Sequence, residues 1–147
     1  MGAVKCAYRK NTREDLKMQE VFDFLKKCGT FYLATVDGDQ PRVRPFGAIA
    51  IIDGKIYTQT GKVKNVSKQI QANNKVEICA CAGGEWVRIE CKLVRDERRE
   101  AKVAMLEANP GLKNMYSADD DNTEVLYFAD AVATFYSFGG EPKVVKF

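Results

Sequence analysis

The chain has 147 residues, 46% hydrophobic and 29% charged, with a formal net charge of +3 and no histidine. This composition is globular and excludes disordered and fibrous classes, and no apolar run is long enough for a transmembrane helix. The length predicts one domain at 13–147 after an N-terminal tail at 1–12, and the absence of an apolar N-terminal signal core predicts a cytoplasmic protein.

The first predicted element is a helix at 13–28. Thr12 and Asp15 have the spacing of a capping box, and Gly29 is a typical C-terminal stop. Between them, apolar residues recur with the period of a helix face at Met18, Val21, Phe22 and Leu25.

Strand patterns follow this helix. A β-branched and aromatic segment predicts a strand at 30–36, and the run 41–52 is strand-like apart from Pro45 and Gly47. Within a strand these two residues indicate an edge or a bulge where a ligand or another backbone comes close. The dipeptide Asp53-Gly54 then predicts a hairpin whose return strand is 55–60. The next segment predicts a short helix that places Val63, Val66 and Ile70 on one face and ends near 73–74.

The second half of the chain is also rich in strands. A hairpin around Gly83-Gly84 joins predicted strands at 75–82 and 85–95, and Asp96 is predicted to cap a helix that ends at 108. Asn109-Pro110 predicts a further short helix, and a polar loop separates it from two last strands, at 125–128 and 131–138. Six or seven strands with this spacing favour a closed antiparallel barrel over a parallel sheet.

The segment 41–68 carries a local excess of positive charge. Its cations are Arg42, Arg44, Lys55, Lys62, Lys64 and Lys68, against one acid, Asp53. In a hairpin centred on Asp53-Gly54, Arg44 and Thr60 lie toward the same end, and Lys62 and Lys64 follow at the helix start. These groups can converge on a bound phosphate, because fixed cations, hydroxyls and free helix N–H groups are what an anion needs. The alternative is a solvated basic face.

Other chemistries are less well supported. The five cysteines (Cys6, Cys28, Cys79, Cys81 and Cys91) have no disulfide or zinc spacing, and we interpret them as reduced, mostly buried thiols. Without histidine, Ser-His-Asp and Cys-His catalysis is excluded. The basic segment has few stacking aromatics and the C-terminal half is acidic, which argues against nucleic acid.

The block IYTQTGKVKNVSKQIQANNKVEI, preceded by PRVRPF, resembles the flavin-binding core of the pyridoxamine 5'-phosphate oxidase-like split barrels. Arg44, Tyr57, Thr58 and Lys64 match the order and spacing of residues that hold FMN in that family, and Lys62 occupies a slot where the family often has Ser or Lys. The stretches 83–112 and 125–147 are similar to the branch containing general-stress flavoproteins and nitroimidazole-reductase-like (Nim) proteins.

The resemblance implies a mainly β protein with peripheral helices: a six- to seven-stranded, Greek-key, antiparallel split barrel. It further implies a homodimer with FMN at the interface that acts as an oxidoreductase on an unidentified small molecule. The candidate FMN-binding residues are Arg44, Pro45, Phe46, Tyr57, Thr58, Thr60, Lys62, Lys64 and Trp86; no metal is expected. True pyridoxamine-phosphate oxidases grip substrate with a C-terminal Arg and His, so that activity is not expected here.

Several assignments have structural alternatives. Tyr57 is equally typical of a barrel-packing aromatic, and Trp86 of an interface or core residue rather than a flavin wall supplied by the partner. Arg42 and Arg44 alternate faces, so one of them is expected at the surface. For the whole protein, the alternative to an enzyme is a binding or stress protein that holds flavin or another cofactor without turnover.

Overall fold

The computed structural model describes residues 12–147 and consists of three α-helices, one 3-10 helix and eight strands. The helices are α1 (Arg13–Cys28), α2 (Asn65–Ala72) and α3 (Arg99–Ala108), and the 3-10 helix is Pro110–Asn114. The strands are β1 (Phe31–Asp37), β2 (Gln40–Phe46), β3 (Ile49–Ile52), β4 (Lys55–Gly61), β5 (Lys75–Ala82), β6 (Glu85–Asp96), β7 (Thr123–Ser137) and β8 (Lys143–Lys146).

All strand pairs are antiparallel and belong to one sheet, in the order β2-β1-β5-β6-β7-β4-β3, with β8 paired to β7. The two ends of this path, β2 and β3, are not paired, yet only Gly47 and Ala48 connect them in the chain. Three Cα–Cα steps span about 11 Å at most, so the sheet must curl until its ends nearly meet. The barrel is therefore split rather than closed.

The main core fills the inside of this curled sheet. Phe31, Leu33, Ile78, Ile89 and Leu126 are all fully buried there. Helix α1 contributes Met18, Val21 and Leu25, and α2 contributes Val66 and Ile70. A smaller cluster on the outside of β3, β4 and β7 packs Ala50, Tyr57 and Val125 under α3.

Several predicted elements are confirmed. The Thr12–Asp15 capping box is formed, Gly29 ends α1, and the Asp53-Gly54 turn has both residues at positive φ. The long strand predicted at 41–52 is instead two strands at opposite ends of the sheet. Pro45 and Gly47 mark the break, because a proline cannot donate to a ladder and glycine tolerates the bend.

Other expectations were wrong in detail. Helix α2 begins at Asn65, and Val63 lies before it with 74% of its surface exposed, so it is not on the buried face. Asp96 ends β6, and Arg98 is the N-cap of α3, with no side-chain capping bond. The last two predicted strands form one continuous strand, β7. Strand β8 was not predicted, which brings the total to eight.

The cysteines also differ from expectation. Cys91 is in the core as predicted, but Cys79 and Cys81 are exposed on the outer face of β5 and Cys28 is half-buried. Cys6 lies outside the described residues. Arg88 and Glu90 are exposed and Met105 is buried.

Candidate functional site

A cavity of about 230 Å³ opens where β2 and β4 end and α2 begins. Its lining residues are Arg44, Pro45, Phe46, Gly47, Ala48, Gln59, Thr60, Lys64, Val66, Leu112, Met115 and Tyr116. Five of the nine predicted FMN-binding residues are in this set: Arg44, Pro45, Phe46, Thr60 and Lys64. The fold thus brings together two predicted cations, one hydroxyl and the backbone at the break between β2 and β3.

Arg44 is a cation whose partners are all neutral. Its guanidinium donates to the Thr35 hydroxyl at 2.7 Å, the Leu33 carbonyl at 3.2 Å and the Gln69 amide oxygen at 2.6 Å. These bonds fix its orientation between β1 and α2. Burial, followed by the nearby Arg42, lowers the pKa of Arg44 from its usual value. A charge held in place without a carboxylate is available to an anionic ligand.

Lys64 stands at the N-terminal end of α2. It has extended backbone angles as the N-cap, is exposed, and has no ion pair within residues 12–147. The first N–H groups of a helix have no partner within it, and the helix dipole favours negative charge at this end. Lys64 and the first turn of α2 therefore present positive potential to the cavity from one side.

Two predicted residues near this corner have side chains engaged elsewhere. Lys62 turns away from the cavity, and its ammonium lies 3.4 Å from a Glu97 carboxylate oxygen. Thr58 is fully buried and its hydroxyl donates to the Ala48 carbonyl at 2.9 Å. Thr58 thereby holds the connection between β2 and β3 against β4. It supports the cavity wall without lining the cavity itself.

Tyr57 lies on the other face of β4. It is buried under α3 with its ring against Tyr127, and its hydroxyl donates to Asp96 at 2.7 Å. Burial and, next, the Asp96 carboxylate raise the pKa of Tyr57 to about 12. Arg98 in turn lowers the pKa of Asp96 well below its usual value. This is the packing alternative considered for Tyr57, and the side chain does not line the cavity.

Trp86 is distant from the cavity in its own chain. It stacks on Tyr136 with ring centroids 5.4 Å apart, and Phe138 packs beside it at 5.2 Å. Trp86 pairs with Tyr136, whereas β4 pairs with the other end of β7 at Tyr127, nine residues and about 30 Å away along the strand. Any contact of Trp86 with this kind of cavity must therefore come from a second copy of the chain.

A second, more open cavity lies on the other side of Arg44, between the β1–β2 hairpin and α2. Arg42, Lys68, Asn65 and Gln69 line it. Arg42 is bound to Asp37 at 3.1 Å, with about half of its side chain exposed, whereas Lys68 is exposed without an ion pair among the described residues. Arg42 is thus the more exposed of the two arginines. The expectation that they alternate faces was wrong, because residues two apart in a strand share a face and both line this cavity.

A buried carboxylate on β7 fixes the position of the start of α2. Glu124 is 1% exposed and pairs in register with Thr60. One of its oxygens accepts from the Ser67 hydroxyl at 3.0 Å and from Arg95 at 2.6 Å, while the other has no hydrogen-bond partner. Because Ser67 is in the first turn of α2, this network sets the position of the helix end that faces the cavity.

The sequence reasoning missed part of the cavity wall. Gln59, Leu112, Met115 and Tyr116 line it, the last three from the 3-10 helix and the residues just after it. No local pattern places that helix against β4. Gln59 is a long polar side chain in a mostly buried strand. This was the one sequence signal that could have pointed to the cavity wall.

Comparison with known proteins identifies relatives with the same fold. A NimC/NimA family protein from Clostridium acetobutylicum is 45% identical, with a TM-score of 0.88, over 91% of this chain and 94% of that chain. General stress protein 26 from Bacillus anthracis is 19% identical, with a TM-score of 0.66, over 88% of this chain and 96% of that one. The latter likeness shows the fold alone. No curated protein matches significantly.

The family profile named pyridoxamine 5'-phosphate oxidase matches residues 18–134, which is most of the chain. A protein related to general stress protein 26 from Clostridium acetobutylicum shares the fold at 14% identity, with a TM-score of 0.69, over 90% of this chain and 95% of that chain. These matches confirm the resemblance seen in the sequence. The chain belongs to the pyridoxamine 5'-phosphate oxidase family and has its split-barrel fold.

Proposed function

We propose that this protein binds FMN in the cavity beside Arg44 and acts as an FMN-dependent oxidoreductase. The observation that carries the proposal is the pair of cations without acidic partners, Arg44 and Lys64, on the wall of one cavity at a helix N-terminus. Such a donor set fits a phosphate monoester, since charge-assisted hydrogen bonds to phosphate are strong and the helix end favours an anion.

The rest of the cavity suits the remainder of the cofactor. Pro45, Phe46 and the Gly47–Ala48 backbone form a flat edge against which a planar ring can lie. Thr60 and Gln59 are polar groups on the opposite wall. The other proposed contacts are indirect in this geometry: Thr58 and Tyr57 shape β4, and the Lys62 ammonium is bound to Glu97.

The size of the cavity argues for a site shared between two chains. Ligand pockets usually enclose about 300–1,000 Å³, and this cavity holds about 230 Å³. One chain therefore encloses only part of a flavin nucleotide. In a homodimer, a second copy covers the open side and supplies the rest of the binding site. In this proposal, Trp86 of the second copy is part of that cover.

The outer face of the sheet is the surface that we assign to the partner. The register places Pro45, Tyr32, Cys79, Arg88 and Thr134 in one row across five strands. Pro45 also lines the cavity, so a copy seated on this row reaches the cavity rim.

This outer face has the composition of an interface. Exposed apolar side chains on it are Tyr32 at 49%, Val36 at 41%, Val43 at 67% and Val144 at 56% of their surface. Neighbouring exposed apolar residues in a sheet are typical of protein–protein contacts.

FMN supplies hydride or electron transfer when it is bound, and the chain positions it. Arg44 and Lys64 neutralise the phosphate, and Leu112 and Met115 form an apolar part of the wall. The reaction partner is a small-molecule electron donor or acceptor. Cys79 and Cys81 are free and exposed, which is typical of a reducing compartment, so the proposal places the protein in the cytoplasm.

A second candidate function is flavin binding without turnover. The chain has no histidine, so proton transfer near the flavin has to use tyrosine, lysine, arginine or water. A cofactor-binding or stress protein needs no such group. Consumption of NAD(P)H by the FMN-loaded protein would favour the enzyme, and a loaded protein that is inert to reductants would favour the binding role.

The test of FMN binding is a titration of the cofactor-free protein, followed by flavin fluorescence. We expect saturation at micromolar concentrations and much weaker binding of riboflavin, which lacks the phosphate. The visible spectrum of the purified protein, with the released cofactor identified by mass, checks the same point independently. A protein that shows no saturable change with FMN refutes the proposal.

A further inference from the structure

Gly61, the last residue of β4, stands in a corner where a side chain would meet its neighbours tightly. A Cβ atom there would lie 3.1 Å from the Asn122 amide nitrogen and 3.2 Å from the Tyr116 hydroxyl oxygen. Contacts this short force the neighbours to move, so a larger residue would displace both groups. The missing side chain lets an amide N–H₂ and a phenolic O–H lie close together beside the Gly61 Cα atom.

Hydrogen bonds to and from the surrounding backbone hold Asn122 and Tyr116 in place. The Asn122 carbonyl accepts from the Lys62 N–H at 2.8 Å, and its amide oxygen accepts from the Val63 N–H at 3.2 Å. Asp120 accepts from the Asn122 N–H at 2.9 Å. The Tyr116 N–H donates to the Leu112 carbonyl at 2.9 Å. The loop after the 3-10 helix is thereby bound to the turn that leads into α2.

These bonds leave two donors without an acceptor. The bonds of Asn122 to the 61–64 turn use only its two oxygens. Within residues 12–147 neither its N–H₂ group nor the Tyr116 O–H donates to another protein group. Tyr116 is half-buried and lines the cavity that also contains Lys64. Two donors without a protein acceptor beside the cavity are available to a ligand acceptor.

We propose that the Tyr116 hydroxyl and the Asn122 amide complete the anion site with Lys64, as two neutral donors to the phosphate of the bound cofactor. This inference rests on the proposed function and adds residues that the sequence resemblance does not include. It explains why the 3-10 helix and its following loop pack against the end of β4. It also assigns Gly61 a role, because a Cβ atom at this position would push against both donors.

The test compares FMN and riboflavin binding in Tyr116→Phe, which keeps the ring and removes only the hydroxyl. Loss of one hydrogen bond should weaken FMN binding about threefold to tenfold and leave riboflavin binding unchanged. Gly61→Ala, which pushes both donors outward, should weaken FMN binding at least as much. Tyr127→Phe is the matched control, since Tyr127 packs on Tyr57 away from the cavity and should bind like the wild type.

The outcomes separate this inference from the proposed function. A wild-type protein that does not bind FMN overturns both. A wild type that binds FMN, with Tyr116→Phe indistinguishable from it, overturns the inference and leaves the proposed function intact. Equal weakening of FMN and riboflavin overturns the assignment of these donors to the phosphate. If Gly61→Ala fails to fold, judged by circular dichroism, Tyr116→Phe decides alone.

Discussion

At the scale of single residues, the difference between Lys62 and Lys64 is decided by their acidic neighbours. Lys62 lies within 3.4 Å of Glu97, whereas Lys64, two residues later, has no carboxylate near it among the described residues. Exposed ion pairs contribute about 0–1 kcal/mol to stability, so the contact of Lys62 with Glu97 stabilises the fold little. The carboxylate nevertheless compensates the charge of Lys62. Lys64 keeps its full charge for a ligand, which makes it the more informative of the two to change.

We expect Lys64→Ala to weaken FMN binding roughly tenfold to a hundredfold, because one charge-assisted contact to phosphate contributes about 1.5–3 kcal/mol. Thermal stability should not change, since Lys64 is exposed and outside the core. Fluorescence titration measures the affinity. The control is Lys68→Ala, one turn further along α2 on the other cavity. If both lysines prove neutral while Arg42→Ala abolishes binding, the phosphate lies on the other side of Arg44 and our assignment is wrong.

The Tyr57 hydroxyl predicts a stability effect at high pH. Its pKa is raised to about 12 in the folded protein, against about 10 in the unfolded chain. Between these values the unfolded chain has lost a proton that the folded protein keeps, so the free energy of unfolding falls as pH rises. The loss is about 2–3 kcal/mol over this window, while below about pH 10 the contribution is fully present.

This effect is measured by urea unfolding of the wild type and Tyr57→Phe at about pH 8 and about pH 11.5. At the lower pH the variant should be less stable by about 1 kcal/mol, because its hydrogen bond to Asp96 is lost. At the higher pH the difference should shrink or reverse. Tyr116→Phe, at a hydroxyl that donates to no protein group within residues 12–147, is the control and should follow the wild type. Parallel pH profiles for Tyr57→Phe and the wild type would contradict the prediction.

At the scale of secondary-structure elements, α1 and α2 begin in different ways. Helix α1 has a complete capping box, in which the Asp15 N–H donates to the Thr12 hydroxyl at 3.1 Å and the Thr12 N–H donates to Asp15 at 2.9 Å. Helix α2 begins at Lys64 with no side-chain cap. The uncapped end faces the cavity, so its free N–H groups are available for a ligand at the cost of some helix stability.

Thr12→Ala should therefore destabilise the protein by about 1 kcal/mol, because it removes the side chain that caps α1. The change is measured as a lower midpoint in urea unfolding. FMN affinity should be unchanged, since α1 does not line the cavity. Thr30→Ala is a matched control, because Thr30 is exposed and its side chain caps no helix. A variant that loses FMN affinity along with stability would show that α1 and the site are coupled.

At the scale of the whole molecule, the curled sheet leaves one face without a covering element within residues 12–147. The inner face is filled by α1, α2 and the core, and α3 covers β3 and part of β4. The row that runs from Pro45 through Tyr32 to Arg88 remains exposed. Its position beside the cavity links the oligomeric state to cofactor binding.

Sedimentation of the purified protein should give twice the mass of one chain. Val43→Asp places a charge on the same outer face, two residues from Pro45, and should shift the protein toward monomers and weaken FMN binding. Leu16→Asp is the matched control: Leu16 is similarly exposed, at 58% against 67%, but lies on α1, away from the outer face and the cavity. A strictly monomeric wild type that binds FMN tightly would contradict the shared site.

The sequence by itself determined the elements whose signals are local. The Thr12–Asp15 cap, the Asp53-Gly54 turn and the alternation in β5 and β6 depend on residues a few positions apart, so short-range patterns predict them. The order of Arg44, Tyr57, Thr58 and Lys64 was sufficient to indicate the family. The positions of these residues in the chain were therefore predictable, but their side-chain partners were not.

Only the tertiary structure decided what depends on distant contacts. The break at Gly47 sends β2 and β3 to opposite ends of the sheet, and that curvature is set by core packing rather than by local propensity. Lys62 turns toward Glu97 and Tyr57 toward Asp96, because partners 35 and 39 residues away reach them in the folded chain. Tyr116 and Asn122 join the site for the same reason: the free energy that places their loop against Gly61 comes from contacts between remote segments, which no local pattern encodes.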